Sequence, residues 1–117
     1  MTGLVSYRAG LAAEDAVARH YSDAGQVLAA SRWRGSSGEI DLVLREGASV
    51  IFVEVKKAAT HAEAALRVTS RQMARIYAAA SEFLAGEPNG QNTESRFDVA
   101  LVDSYGRIEV LENAFAG

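Results

Sequence analysis

The chain contains no cysteine, a single proline (Pro88) and no long apolar run. The first absence excludes a disulfide framework, thiolate metal ligands and a cysteine nucleophile. The last excludes a membrane-spanning helix, which needs about 18 or more consecutive apolar residues. The N-terminus also lacks the charged start and apolar core of a secretory leader, so the expected location is the cytoplasm and no membrane partner is expected. Charge of one sign is scarce as well, because the net charge is only −3. What is present is a 117-residue chain with 49% hydrophobic and 23% charged residues. Those proportions suit one globular domain spanning 1–117 with a real core.

The charge is unevenly placed. Residues 32–75 carry eight basic side chains against five acids, whereas residues 82–117 carry two against seven. A basic segment on an acidic body fits a surface that faces phosphates. A solvated mixture of charges with no partner is the alternative.

Hydrophobic periodicity divides the chain into elements. Residues 4–24 read as a helix whose inward stripe is Leu4, Tyr7, Leu11, Glu14, Ala18 and Tyr21, stopped by Gly25. A short strand over Val27–Ala30 and beyond leads into the connection from Arg32 to Gly38. Residues 39–57 read as a β-hairpin turning at Gly47-Ala48. Thr60-His61-Ala62-Glu63 has the pattern of a capping box, and the helix after it carries Ala65, Val68, Gln72, Ile76, Ala79 and Phe83 on its inner face. A break near Thr69-Ser70 is compatible with the weak helix propensity there. Arg67, Arg71 and Arg75 form a separate row on that helix. Residues 86–95 are expected to be a mobile loop, followed by strands over Phe97–Val102 and Arg107–Leu111. The order α-β-β-β-α-β-β predicts an α/β (α+β) domain with a central mixed sheet flanked by helices.

A two-residue turn at Gly47-Ala48 places Asp41 opposite Glu54, and Glu39 opposite Lys56. Like charges directly opposed across a sheet are destabilising, so a bound divalent cation or a shared proton is required to offset them. Glu14 and Gln72 are polar residues on otherwise apolar stripes, and a carboxylate is seldom buried without a partner. Glu14, Asp41, Glu54, Lys56 and Gln72 can therefore converge from several elements on one point. Such a group suits Mg²⁺ or Mn²⁺, a hard ion that polarises a scissile phosphate and activates water. Lys56 is placed to orient or deprotonate that water and to stabilise developing negative charge, while Gln72 can hold the water or a phosphate oxygen.

The Gly38-Glu39-Ile40-Asp41-Leu42-Val43 and Phe52-Val53-Glu54-Val55-Lys56 segments resemble the PD-(D/E)XK nuclease signature. More closely, the chain is similar to the bacterial YraN-like family of predicted endonucleases, distant relatives of archaeal Holliday junction resolvases. The likeness includes the Gly10–Ala16 start, Val68-Thr69-Ser70-Arg71-Gln72 and Arg96-Phe97-Asp98-Val99. It implies a restriction-endonuclease-like fold, Asp41 and Glu54 as metal-binding acids, Lys56 as the catalytic lysine and Glu14 as a supporting acid. It also implies DNA, branched or otherwise structured, as the partner, and is compatible with a homodimer. The chain departs from the pattern in having Gln72 where a lysine is usual, and Lys57-Ala58-Ala59 where an arginine tends to follow.

Each residue also has a plainer reading. Asp41 and Glu54 could lie on a solvated hairpin face paired with Arg45 and Lys56, Glu14 could bond Arg8 or a strand end, and Gln72 could be a satisfied amide at the core's edge. Arg32, Arg34, Lys57, Arg67, Arg71 and Arg75 are the candidates for backbone phosphates. Trp33 between two arginines could stack a base or belong to the core. Gly35-Ser36-Ser37-Gly38 precedes no helix and reads as a flexible strand entry. His20 and His61 have no metal-ligand spacing, and Asp98 reads as the structural partner of Arg96. Two alternatives to an enzyme stay open: a non-catalytic nucleic-acid-binding module, and a structural protein with a degenerate nuclease site.

Overall fold

The computed structural model describes residues 3–114, with side chains from residue 8 onward. Helix α1 (Gly3–Asp23) precedes strands β1 (Val27–Arg34), β2 (Glu39–Glu46) and β3 (Ser49–Lys57). Helices α2 (His61–Ala65) and α3 (Ser70–Ala85), a 3₁₀ turn over Gly90–Asn92, and strands β4 (Ser95–Val102) and β5 (Ile108–Leu111) complete the chain. The strands form one sheet in the order β1-β2-β3-β4-β5. Only β3 and β4 run parallel, and α2 and α3 supply the crossover that a parallel pair needs. The expected mixed sheet flanked by helices is what forms.

Both faces of the sheet are covered. Ala13, Val17 and Tyr21 of α1 pack on Leu42, Leu44, Ile51, Val53, Ala100 and Val102. Ala79, Ala80 and Leu84 of α3 pack on Ile40, Val43, Val50 and Phe52. Burial on two sides explains why Val50-Ile51-Phe52-Val53 is an unbroken apolar run and does not alternate. Phe52 is fully buried, worth about 1.5–3 kcal/mol. It stacks on Phe97 at 5.2 Å and meets Phe83 edge-on at 5.8 Å. Trp33 joins this core against Phe83, so its indole is a core side chain.

α1 ends where expected: Gly25 has φ +99 and Gln26 N–H donates to the Tyr21 carbonyl. Leu4 and Tyr7 of the anticipated stripe lie outside the described side chains. Two other expectations are corrected, the extent of the first strand and the freedom of residues 86–95. The strand expected to give way to a connection at Arg32 continues to Arg34, with a register shift between Leu28 and Ala30. The helix after Thr60 does break where the weak propensity near Thr69-Ser70 allowed, giving two helices. Thr69 caps α3 in a full capping box with Gln72, so α2 stops after five residues, Ala64 is buried and Ala65 is exposed. Residues 86–95 are tied down and not a free loop: Arg45 pairs with Glu87, Gln91 donates to the Ser81 carbonyl at 2.9 Å and Thr93 is buried.

Candidate functional site

The hairpin register matches the turn chemistry. Gly47 has φ +60, which a two-residue hairpin turn requires, and pairing runs from Glu46↔Ser49 to Leu42↔Val53. There the β2–β3 ladder stops. The first residues of β2 instead follow β1, through Trp33↔Ile40 and Arg34↔Glu39. The two strands part in a V, and Asp41 sits at its fork.

At that fork Asp41 does not merely face Glu54. Its Oδ2 accepts the Val55 backbone N–H at 2.8 Å, while its charge interacts with those of Glu54 and Glu14. Glu54 Oε1 is 3.3 Å from Lys56 Nζ. The expected Glu39–Lys56 pair is therefore not made. Glu39 bonds Arg34 at 3.0 Å on the exposed rim, and Lys56 serves Glu54.

Glu14 is buried on α1 as its stripe implied, but its partner is Arg32. The Arg32 Nε and Nη2 donate to Glu14 Oε2 at 2.9 and 2.8 Å. Burial raises the Glu14 pKa, the Arg32 hydrogen bond opposes that rise, and the Asp41 charge adds to it. Asp41 is pushed up to about 7, first by burial and then by the Glu54 charge, against the pull of the Val55 N–H and Lys56.

A cleft of about 260 Å³ opens beside these groups, lined by Gly38, Glu39, Asp41, Glu54, Gln72, Arg75 and Ile76. Gln72 and Arg75 come from the first turns of α3 and form the far wall. The Gln72 Oε1 accepts the Thr69 N–H at 3.3 Å, so its amide both caps the helix and faces the cleft. The arginine row is split: Arg67 lies before α3 and donates to the Lys57 carbonyl at 3.0 Å, while Arg71 is exposed on α3. Arg34 and Lys57 are exposed, whereas Arg32 is turned inward onto Glu14.

Two neighbouring carboxylates lining a polar cleft are hard oxygen donors whose repulsion Lys56 and the Val55 N–H offset only in part, and they fit a hard divalent cation. Among the described residues no three carboxylate or imidazole groups gather around one point as a closed metal site. Mg²⁺ commonly accepts that arrangement, taking one or two carboxylates and completing its shell with water and phosphate oxygens.

Comparison with known proteins shows the family to which the chain belongs. The model of the uncharacterised protein family UPF0102 matches residues 13–102, from just before Glu14 to the end of β4. The chain belongs to the UPF0102 family. A UPF0102 protein of Cereibacter sphaeroides strain KD131 is 68% identical over 116 residues, 99% of each chain. Another, from Roseobacter denitrificans, is 53% identical over 114 residues, 97% of this chain and 88% of the other. One from Dinoroseobacter shibae is 45% identical over 104 residues, covering 89% and 78% respectively.

Reasoning from sequence took Arg32 for a phosphate contact and missed its place as the partner of Glu14. It lies between the Ser31↔Leu42 and Trp33↔Ile40 pairs, a placement that nothing in the sequence signalled. Glu82 was missed too. It accepts the Ser36 and Ser37 backbone N–H groups at 2.8 and 3.0 Å, fixing the turn that begins β2, and those bonds lower its pKa to about 2. No helix among the described residues is long and apolar enough to cross a membrane.

Proposed function

We propose that this UPF0102 protein is a metal-dependent endonuclease of the PD-(D/E)XK kind, with a restriction-endonuclease-like fold, that hydrolyses phosphodiester bonds in DNA, including branched or structured DNA. The observation that carries this reading is the fork itself. Strand divergence sets Asp41 beside Glu54 at a polar cleft, with the Lys56 amine 3.3 Å from Glu54.

Asp41 and Glu54 would hold Mg²⁺ or Mn²⁺, which supplies Lewis-acid polarisation of the phosphate when bound. The chain's own residues do the rest. Val55 N–H fixes the Asp41 carboxyl, and Lys56 places positive charge where negative charge develops on the phosphate. Gln72 and Arg75 present an amide and a guanidinium from the opposite wall to orient phosphate oxygens. Arg34, Lys57 and Arg71 are exposed and suited to neighbouring phosphates along the strand.

A second reading keeps DNA binding without cleavage. It is favoured by the capping-box engagement of the Gln72 amide. Incubating the protein with branched, flapped, linear and single-stranded DNA in Mg²⁺ or Mn²⁺ separates the two. The nuclease reading expects cleavage that Asp41→Ala abolishes. Binding without cleavage, unchanged in Asp41→Ala, supports the module instead.

A further inference from the structure

Arg32 combines three observations that a surface cation would not show together. It is the one non-glycine residue within a strand, among the described residues, to have a positive φ, +51. Side chains resist that conformation, which persists only where surrounding structure enforces it. It lies between the pairs Ser31↔Leu42 and Trp33↔Ile40, as Asp41 does on β2, where the β2–β3 ladder has just ended. Its guanidinium is half-buried and aims two N–H groups at a single oxygen of Glu14, a buried acid that interacts electrostatically with Asp41.

The left-handed backbone at Arg32 coincides with a side chain bonded to Glu14 on α1. A planar fork can grip the Glu14 carboxylate in a fixed orientation, which a lysine could not.

We infer that Arg32 is a positioning residue: through the buried Glu14 it fixes the Asp41 carboxylate on the Val55 N–H and so shapes the cation point at the strand fork. The cation part rests on the function proposed above, whereas the positioning itself does not. Outer partners that orient a ligand typically change metal affinity by about 10–100-fold when removed. Coulomb attraction alone predicts the opposite sign, since deleting a positive charge would tighten cation binding.

The test compares wild type with Arg32→Gln. In the metal-free protein, exchange of the Val55 amide hydrogen should quicken by about tenfold or more. The Asn113 amide, which bonds Asp98 elsewhere in the sheet, should keep its protection. Mn²⁺ affinity, by calorimetry, should fall by about tenfold or more. Arg32→Lys, which keeps the charge but not the fork, should show the same direction of change in both. Should Arg32→Gln fail to fold, the double variant Arg32→Gln/Glu14→Gln buries no unpaired acid and is expected to show the same two effects. An unchanged Val55 amide, equal acceleration at Val55 and Asn113, or Mn²⁺ binding that is unchanged or tighter overturns the inference. Should the wild type take up no Mn²⁺, the function proposed above falls, and the two amides alone decide the role of Arg32.

Discussion

Asp98 and Asp41 are carried by the same sheet, two strands apart, and their surroundings differ in kind. Asp98 is fully buried and fully answered. It accepts the Tyr21 hydroxyl at 2.7 Å, the Arg96 Nε at 3.1 Å and the Asn113 N–H at 3.0 Å. Asp41 has one backbone donor at 2.8 Å, and the charges of Glu54 and Glu14 oppose its own against the pull of Lys56. A buried acid with a complete set of donors ties elements together, whereas one crowded by like charges is kept at a cost to the metal-free fold. On the function proposed above, a bound cation is what offsets that cost.

The comparison breaks most sharply under substitution. Asp41→Ala should reduce Mn²⁺-dependent cleavage by roughly a thousandfold in a gel assay of branched DNA, with the fold retained. Asp98→Ala should act on stability instead. It leaves Tyr21, Arg96 and the Asn113 N–H without their acceptor and should cost about 3 kcal/mol in urea denaturation.

The pH dependence of the metal-free protein should come from the Asp41 side. The folded-state pKa of Asp41 is raised to about 7, against about 4 in an unfolded chain. Stability is then fully present below pH ~4 and lost as pH climbs from ~4 through ~7, with no further loss from this group above that. Asp41→Asn keeps an oxygen for the Val55 N–H and should flatten this fall, gaining about 1 kcal/mol at pH 8. Thermal melts of both proteins between pH 4 and 8 measure the difference. The smallest effect is expected at the rim. Lys57→Ala should lower the salt dependence of DNA binding by about one unit of slope, leaving the cation site untouched.

Much of this contrast was legible in the sequence, and the parts that were not share a cause. The β2–β3 register followed from Gly47-Ala48 and the apolar pattern, because a two-residue turn admits few pairings. The Asp98–Arg96 pair was legible because the two residues are neighbours on one face of a strand. The fork at Asp41 was hidden. It arises where β1, bulged at Leu28–Ala30 and left-handed at Arg32, draws the start of β2 away from β3. Backbone irregularity of that kind is dictated by tertiary packing and has no propensity signature in an arginine. The break before α3 sat between these extremes. The weak propensity of Thr69-Ser70 signalled a break there, and the Thr69-x-x-Gln72 capping box that makes it definite went unread.

The account turns on Asp41 and Glu54 accepting a doubly charged ion at the fork. Titrating Mn²⁺ into the metal-free protein at pH 8, with and without DNA, tests this most directly when Glu54→Gln is titrated alongside. The account predicts saturable heat for the wild type and none for Glu54→Gln, whose melting temperature should equal or exceed the wild-type value. No saturable heat in the wild type under either condition, or the same heat in both proteins, would contradict it.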